Sequence, residues 1–244
     1  MKKEEVIKRI DPRYLNGICH RGFHNDHIPE NSLEAFKEAI KINSAFEFDI
    51  HLTLDNELVI SHDPNLLRMT GKDGNIEELT LKEIKDNYRL PNGECLPTLR
   101  EILDCNQERV PIVIEVKVVN KNYKAISKRL IEELKDIKDK SKYMIISFDP
   151  RALLKVKKLG IVNSLLICKE HQFTFKLRYD FDGLDLEYLL LKEKAYQKYS
   201  KKHFVNVWTI ENEQDFKEVL PYVDTVTYQF IEPEYVKDLL LNKK

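Results

Sequence analysis

Hydrophobic and polar positions alternate most regularly in the segment that runs from residue 46 to residue 63. At the two-residue period of a β-strand, the apolar side chains of residues 46–52 fall on one face, and Glu47, Asp49 and His51 fall on the other. The apolar face is therefore predicted to pack against a core. The polar face gathers two carboxylates and an imidazole, and neighbouring carboxylates are costly to bury unless protons or a cation neutralise them.

The same segment predicts a β-hairpin. Asp55 and Asn56 suit a two-residue turn because Asx residues tolerate a positive φ, and the apolar residues at 58–60 then form the returning arm. Counting back from that turn places Asp49 opposite His62, and directly opposed residues share a face of the sheet. The hairpin is thus expected to bring His62 to the polar face, which we interpret as half of an active site.

Other apolar runs predict seven further strands and the helices between them. Together with 46–52, strands are expected at 15–19, 111–117, 143–148, 163–168, 183–187, 204–209 and 225–228. Helices are expected after caps at 31–34, 80 and 98, over 122–138, from 149, over 192–202, over 213–220 and at the C-terminus. The first fourteen residues are compatible with a short charged helix. Residues 64–79, with two glycines among polar residues, predict a long loop.

The alternation of strands and helices favours an α/β fold, a single (β/α)₈ barrel (a TIM barrel) with the hairpin inserted after the second strand. Strands that read as continuous apolar runs are typical of a parallel sheet covered by helices. One domain over residues 1–244 is the prediction, although two small domains could have the same length. A doubly wound open sheet is the alternative, because the number of strands does not show that the sheet closes.

The composition limits the partners and the compartment. A net charge of −1 gives no electrostatic basis for binding nucleic acid or anionic lipid, and the apolar runs are too short to span a bilayer. The four cysteines form no Cys-x-x-Cys motif, and the charged N-terminal residues lack the apolar core of a signal peptide. We expect a cytoplasmic protein with reduced thiols, no stable membrane insertion and a small-molecule ligand. The oligomeric state stays open.

Polar residues interrupt the predicted strands near their carboxyl ends, where a barrel places its active site. Glu47 and Asp49 lie in the second strand, and Glu115 and Lys117 share a face of the third. Three converging carboxylates suit a hard divalent cation, Mg²⁺ or Ca²⁺, better than zinc, which favours Cys or His. An interior ion pair between Glu115 and Lys117 is the alternative that needs no metal.

The histidines divide by their positions. His20 follows the first strand, and His62 is expected on the polar face of the hairpin, so the two could share proton removal and proton donation. Three further candidates are His24, His27 and His51, although an exposed loop is the favoured place for His24 and His27. Surface positions are expected for His171 and His203.

Six short motifs occur in an order that resembles the glycerophosphodiester phosphodiesterase family, a group of barrels similar to the phosphatidylinositol-specific phospholipases C. The motifs are HRG at 20–22, PENS at 29–32, EFD at 47–49, HD at 62–63, IEVK at 114–117 and VWTI at 207–210. Each motif alone would be weak, but six in order at compatible spacings are specific. The resemblance covers nearly the whole chain, from about residue 17 to residue 228.

The resemblance implies roles for eight residues. The acid–base pair would be His20 and His62, and the ligands of a divalent metal would be Glu47, Asp49 and Glu115. By the same resemblance, three further residues would contact the phosphate or line the pocket: Arg21 and Lys117 for the phosphate, and Trp208 for the pocket.

Other positions depart from the pattern of the family. Ala45 and Thr225 replace glycines, Tyr228 replaces an aspartate, Phe230 replaces a proline, and Glu211 stands where the tryptophan motif continues to asparagine. These changes leave the acid–base and metal positions intact. They leave the shape of the last strand and loop, and with it the pocket for the distal group of the substrate, undetermined by the resemblance.

The function implied by the resemblance is metal-dependent hydrolysis of glycerophosphodiesters to glycerol 3-phosphate and an alcohol, through a cyclic phosphate. A related phospholipase or lysophospholipase-type phosphodiesterase is one alternative, although the polar loops at 23–30 and 64–79 favour a water-soluble substrate. A catalytically silent barrel that binds a phosphorylated ligand is another. The sequence retains every histidine and carboxylate that catalysis would need.

Overall fold

The computed structural model of the chain describes residues 1–243 and contains a closed barrel of parallel strands. Each strand pairs with the next along the barrel, and β1 pairs with both β2 and the last strand, which closes the ring. β3 pairs antiparallel with β2 outside the ring. The strands are β1 Ile18–Cys19, β2 Ala45–Leu52, β3 Leu58–Ile60, β4 Ile112–Val116, β5 Tyr143–Ser147, β6 Val162–Ile167, β7 Gly183–Glu187, β8 Phe204–Ile210 and β9 Thr225–Tyr228.

Helices connect the strands and cover the outside of the barrel. They are α1 Lys3–Ile7, α2 Leu33–Lys41, α3 Leu67–Thr70, α4 Leu81–Asn87, α5 Leu99–Asn106, α6 Tyr123–Leu134, α7 Pro150–Val156, α8 Lys194–Ser200, α9 Glu213–Val219 and α10 Pro233–Asn242. One 3₁₀ segment contributes to the site, Lys169–Leu177 after β6, and another, Tyr188–Lys192, follows β7. Among the helices of residues 1–243, none combines the length and hydropathy that crossing a bilayer requires.

The barrel predicted from the sequence is confirmed. Seven of its eight strands begin within one residue of the predicted position, and the capping boxes at Thr80 and Thr98 each start a helix. The first strand is shorter than predicted, because residues 12–16 form a 3₁₀ turn capped by Asp11. The predicted loop at 64–79 contains α3 and a further 3₁₀ turn, whose apolar side chains pack in a small cluster of their own.

The two faces of each strand pack in different environments. Outward side chains such as Phe46, Phe48 and Ile114 contact the helices in the main apolar core. Inward side chains of the amino-terminal strand ends form a second apolar cluster, which α1 and the following turn cover from below. Inward positions nearer the carboxyl ends are polar, so the charges of the chain converge at one end of the barrel.

The hairpin forms with a register different from the predicted one. β2 and β3 pair Ile50 with Ile60. The Thr53 N–H donates to the Glu57 carbonyl and continues this pairing, so three residues, 54–56, rather than two form the turn. The backbone N–H of Ser61 donates to the carbonyl of Asp49 at 3.1 Å, so Ser61, and not His62, lies opposite Asp49. The predicted pairing of Asp49 with His62 was therefore wrong by one residue, because an Asx pair permits a longer turn as well as a two-residue one.

Candidate active site

Three buried carboxylates meet at the carboxyl end of the barrel. β2 and β4 run parallel with Asp49 beside Glu115, and Glu47 precedes Asp49 by two residues, so all three point into the barrel. One oxygen of each carboxylate lies within 4.8 Å of an oxygen of the other two. The exposed fractions of the three residues are 3% for Glu47, 1% for Asp49 and 8% for Glu115. The alternation of β2 thus gives the convergence that the sequence predicted.

Two cations contact these carboxylates. The Lys117 ammonium lies 2.9 Å from an oxygen of Asp49 and 2.7 Å from an oxygen of Glu115, and Arg21 Nε lies 3.6 Å from the other Asp49 oxygen. Burial alone would raise the pKa of Asp49, but Lys117 and Arg21 hold it below its ordinary value. Burial, together with Asp49 and Glu115, raises the pKa of Glu47 well above the ordinary range. Two cations therefore do not neutralise all three acids.

The loop after β1 wraps around Glu47. The backbone N–H of Arg21 donates to Glu47 Oε2 at 3.0 Å, and the N–H of Gly22 donates to the Glu47 carbonyl. Arg21 adopts φ 53, a left-handed conformation that is costly for a non-glycine residue and occurs most often at functional sites. Gly22 adopts φ 83 so close to α2 that a Cβ would lie 2.8 Å from the Ala35 Cβ, which explains the glycine of the HRG motif.

A glutamine that directly follows the last barrel strand orients His20. Gln229 Oε1 lies 2.7 Å from His20 Nδ1 and 3.2 Å from His24 Nε2, and Gln229 Nε2 donates to Glu211 Oε1 at 2.5 Å. Because a carboxylate only accepts, the amide nitrogen faces Glu211 and the amide oxygen faces His20. His20 therefore carries its proton on Nδ1 and has a free lone pair on Nε2. Burial and the Arg21 guanidinium lower the pKa of His20 to about 3.

A carboxylate, in contrast, orients His62. His62 Nδ1 lies 2.6 Å from Asp63 Oδ1, and Arg68 Nε donates to the other oxygen of Asp63 at 2.5 Å. Arg68 also binds Glu30 at 2.7 Å, and Glu30 binds the Arg21 guanidinium at 2.8 Å. Burial is the main cause that lowers the pKa of His62 from its ordinary value. A continuous ion-pair network thus links the HRG loop to the HD motif.

One cavity of about 280 Å³ brings the predicted site residues together. Seven of the eight line it: His20, Arg21, Glu47, His62, Glu115, Lys117 and Trp208. Asp49 is buried beside it and holds Lys117. The indole Nε1 of Trp208 is buried and has no hydrogen-bond partner among residues 1–243, so this donor is free for a ligand.

Three residues near the site were not assigned a role from the sequence. Gln229 carries no motif signal, since only the fold brings it to His20. The start of the following helix was enough to explain Asn31 from the sequence. In the structure its φ is 55, and its Nδ2 donates to Asp49 at 3.0 Å. Asp185 lines the cavity floor, where burial raises its pKa to about 7 although Asn206 donates to both of its oxygens.

The other histidines differ from one another in their surroundings. His24 is half-buried against Gln229 and Phe230, so its predicted place in an exposed loop is only partly correct. His27 is exposed, as predicted. His51 is 1% exposed and contacts Glu77 at 2.7 Å and the His62 carbonyl at 3.2 Å, so it supports the backbone that carries His62.

The donor set fits a hard divalent cation. The cluster offers carboxylate oxygens from three residues, and no Cys or His belongs to it within the described part of the chain. Asn31 Oδ1 is a buried acceptor that finds no hydrogen-bond partner among those residues, and the amide to which it belongs contacts Asp49. The excess negative charge of the three carboxylates and the unpartnered Asn31 oxygen are the kinds of ligand that Mg²⁺ and Ca²⁺ prefer.

Comparison with known proteins agrees with this geometry. The model of the glycerophosphoryl diester phosphodiesterase family matches residues 20–232. A glycerophosphodiester phosphodiesterase of Caldanaerobacter subterraneus subsp. tengcongensis is 32% identical over 154 residues, which are 59% of this chain and 62% of that protein. A second relative, from Bacillus altitudinis, is 28% identical, and the alignment covers 61% of it. The chain thus aligns with less than two thirds of the length of these relatives.

Solved structures extend the similarity over the barrel. A glycerophosphodiester phosphodiesterase from Parabacteroides distasonis has a TM-score of 0.76 and 26% identity, with 92% of this chain and 95% of that chain covered. An Oleispira antarctica phosphodiesterase, solved with its product sn-glycerol-3-phosphate, has a TM-score of 0.74 at 24% identity, covers 92% and 96% of the two chains, and shares the fold. On the match of the family model over most of its length, this chain belongs to the glycerophosphoryl diester phosphodiesterase family.

Proposed function

We propose that this protein hydrolyses glycerophosphodiesters to glycerol 3-phosphate and an alcohol. The observation that carries the proposal is the cavity in which His20 and His62, two cations and an acidic cluster converge. A phosphodiester has one negative charge to neutralise, one bond to break and two protons to move. Membership of the family supports the same substrate class.

A divalent cation, Mg²⁺ or Ca²⁺, is part of the proposal. Glu47, Asp49 and Glu115 would hold it, and Asn31 Oδ1 would add a neutral oxygen. When bound, the cation would neutralise the carboxylates and stabilise negative charge that develops on the phosphate.

The two histidines are assigned different tasks. His20 would act as the general base, because its Nδ1–H donates to Gln229 and its Nε2 carries the free lone pair. His62 would act as the general acid, because the Asp63 carboxylate at Nδ1 stabilises the protonated ring that must donate to the leaving group. The different partners of the two rings support this division of roles.

Three further side chains are proposed to hold the phosphate in place. Arg21 and Lys117 lie in the cavity as cations, and the Trp208 indole offers a buried N–H that has no partner within residues 1–243. Donors fixed in place before the reaction stabilise the additional charge of a five-coordinate phosphorus at little reorganisation cost. Arg21 is fixed by Glu30, and Lys117 by Asp49 and Glu115.

The attacking oxygen is proposed to belong to the substrate. The glycerol hydroxyl next to the ester gives its proton to His20 and forms the new O–P bond, while the bond from phosphorus to the leaving oxygen breaks and His62 protonates that oxygen. Water then opens the cyclic phosphate with the two histidines in reversed roles. An intramolecular nucleophile gains the large rate advantage of proximity.

Two measurements test this function. Release of glycerol 3-phosphate from a panel of glycerophosphodiesters tests the reaction, and its absence from every member would favour a barrel that only binds phosphorylated ligands. An analogue that lacks the neighbouring hydroxyl should bind but turn over at least ~10²-fold more slowly. Equal turnover of that deoxy analogue would contradict the cyclic route and indicate direct attack by water.

A further inference from the structure

A second and larger cavity opens beside the first. It has a volume of about 580 Å³ and is lined by residues that follow three strands, at 115–119, 147–151 and 171–177. We call it the outer groove. It shares His62, Glu115, Lys117 and Phe148 with the inner cavity. A phosphodiester bound at the acidic cluster therefore has one substituent in the inner cavity and room for the other in the outer groove.

An aromatic wall runs from the inner cavity to the outer rim of this groove. Phe148 packs edge-on against Trp208 with ring centroids 5.7 Å apart, and His171 follows at 5.4 Å from Phe148. Phe173 lies 6.1 Å beyond His171 and is 67% exposed. Valines at 118 and 119 and Leu177 also line the groove. These apolar surfaces come from segments other than the polar loops at 23–30 and 64–79, on which a polar surround was expected, and Pro64 is the one residue of those loops that lines the groove.

The outer groove offers no free carboxylate to pair with a positively charged substrate group. The Asp149 carboxylate is bound by the guanidinium of Arg151 at 2.6 Å, and Glu115 is bound by Lys117. Lys176 has no acidic partner within 4.0 Å among the residues that the structure describes. Outside the acidic cluster, the lining thus leaves one ammonium unpaired and no carboxylate unpaired. A quaternary or primary ammonium head group would meet a like charge there without compensation.

We infer that the outer groove binds the leaving alcohol, and that the preferred alcohol is apolar along its length and carries no positive charge. This inference rests on the proposed function. Each buried methylene contributes about 0.8 kcal/mol, which corresponds to roughly fourfold in binding. An alkyl group therefore gains from the whole length of the apolar lining. Choline adds fewer methylenes in line, and its cation–π attraction to the aromatic rings is opposed by the like charge of the exposed Lys176.

The test compares esters of glycerol 3-phosphate with methanol, butanol, hexanol and choline. We expect kcat/KM to rise with alkyl length, with the hexyl ester at least ~10-fold above the methyl ester, and the choline ester below the hexyl ester. Phe173→Ser should lower the ratio of hexyl to methyl kcat/KM several-fold. Lys176→Glu should raise the choline ester relative to the hexyl ester.

A matched variant controls for the loss of an exposed aromatic side chain. Tyr179 is 62% exposed and does not line the outer groove, so Tyr179→Ser should leave the hexyl-to-methyl ratio unchanged. Thermal melting of each variant shows whether it is folded. Cleavage of all esters with choline preferred, and a ratio insensitive to Phe173→Ser, would overturn this inference but not the proposed function. No cleavage of any ester would overturn both.

Discussion

The two ends of the barrel bury opposite kinds of side chain, apolar at the amino end and charged at the carboxyl end. At the amino end, Val6, Ile10 and Tyr14 pack on the inward side chains of the strands and exclude water. At the carboxyl end, the same inward direction carries Glu47 and Glu115, whose pKa values burial raises. Burial of apolar groups stabilises a fold, whereas burial of like charges destabilises it unless a partner neutralises them.

The comparison shows where stability and chemistry are located. A substitution at the amino end can lower the activity of the protein only by unfolding it, because this end lies away from the cavity that holds the charged residues. The carboxyl end keeps charges that the fold alone would not favour, which is expected of a site prepared for a ligand. The predictions below separate these two contributions.

Removal of divalent cations should have the largest effect on activity. Chelation is expected to abolish turnover, and Mg²⁺ or Ca²⁺ should restore it, because the excess charge of the acidic cluster needs a cation. The same cation should raise the melting temperature of the wild type, since it binds only the folded site, and raise that of Glu47→Gln much less. Full activity after chelation, with no metal found by elemental analysis, would contradict the assignment.

Loss of either assigned histidine should come next. His20→Ala and His62→Ala are each expected to lower kcat by ~10² or more, the scale of general acid–base catalysis, without unfolding the barrel. Kinetics and circular dichroism measured on the same samples decide this. His27→Ala is the matched control, because His27 is exposed on the loop that follows His20. A variant with near wild-type kcat would remove that histidine from the mechanism.

A change at the amino end should affect stability and leave the chemistry intact. Tyr14 is fully buried, and its hydroxyl donates to the Ile112 carbonyl at 2.6 Å. Tyr14→Phe removes this buried hydrogen bond and should lower the free energy of unfolding by about 0.5–1.5 kcal/mol. Denaturant unfolding measures the loss, and Tyr179→Phe at an exposed site is the control. A fall in kcat without a fall in stability would show that the amino end also contributes to the chemistry.

The smallest effect is expected from the residue that orients His20. Gln229→Leu removes the acceptor of the Nδ1 proton, so it should lower kcat by roughly tenfold and mix the two tautomers of His20, as seen in ¹⁵N NMR of the ring. Gln214→Leu, at an exposed position of α9, is the control. An unchanged tautomer in Gln229→Leu would show that another group fixes the ring.

The pH dependence of kcat/KM tests whether His20 is the general base. Because the pKa of His20 is about 3, its base form is present throughout pH 5–9, and a bound cation acts in the same direction. The double variant Gln229→Glu/Glu211→Gln places a carboxylate on Nδ1–H, which favours the imidazolium and raises that pKa. The acid limb of kcat/KM should therefore move to higher pH. An unmoved limb would mean that His20 is not the titrating base.

Most of the fold was predictable because its signal is local. Strand positions follow from apolar runs, and the helix starts at Thr80 and Thr98 follow from capping boxes that involve only neighbouring residues. The hairpin shows the limit of this approach. Its existence was predicted, but the register was wrong by one residue because turn length depends on backbone conformations that Asp55 and Asn56 do not fix.

The site also contains residues that local sequence patterns predicted and residues that they did not. The alternation within β2 placed Glu47 and Asp49 on one face, and the parallel register then brought Glu115 beside Asp49. Gln229 was not predicted, since 209 positions separate it from His20 and no periodicity connects them. Asn31 was expected by the site only through the family resemblance, because its position before a helix already accounts for an asparagine.

The amino-acid sequence therefore predicted which residues form strands, which face of each strand is polar, and which side chains are candidates to bind a cation or move a proton. Residue type and local periodicity carry that information. Tertiary folding is what brings Gln229 to His20 and gathers residues 147–177 into an apolar groove beside the acidic cluster. Those contacts depend on the order and register of strands around the barrel, which short-range patterns do not encode.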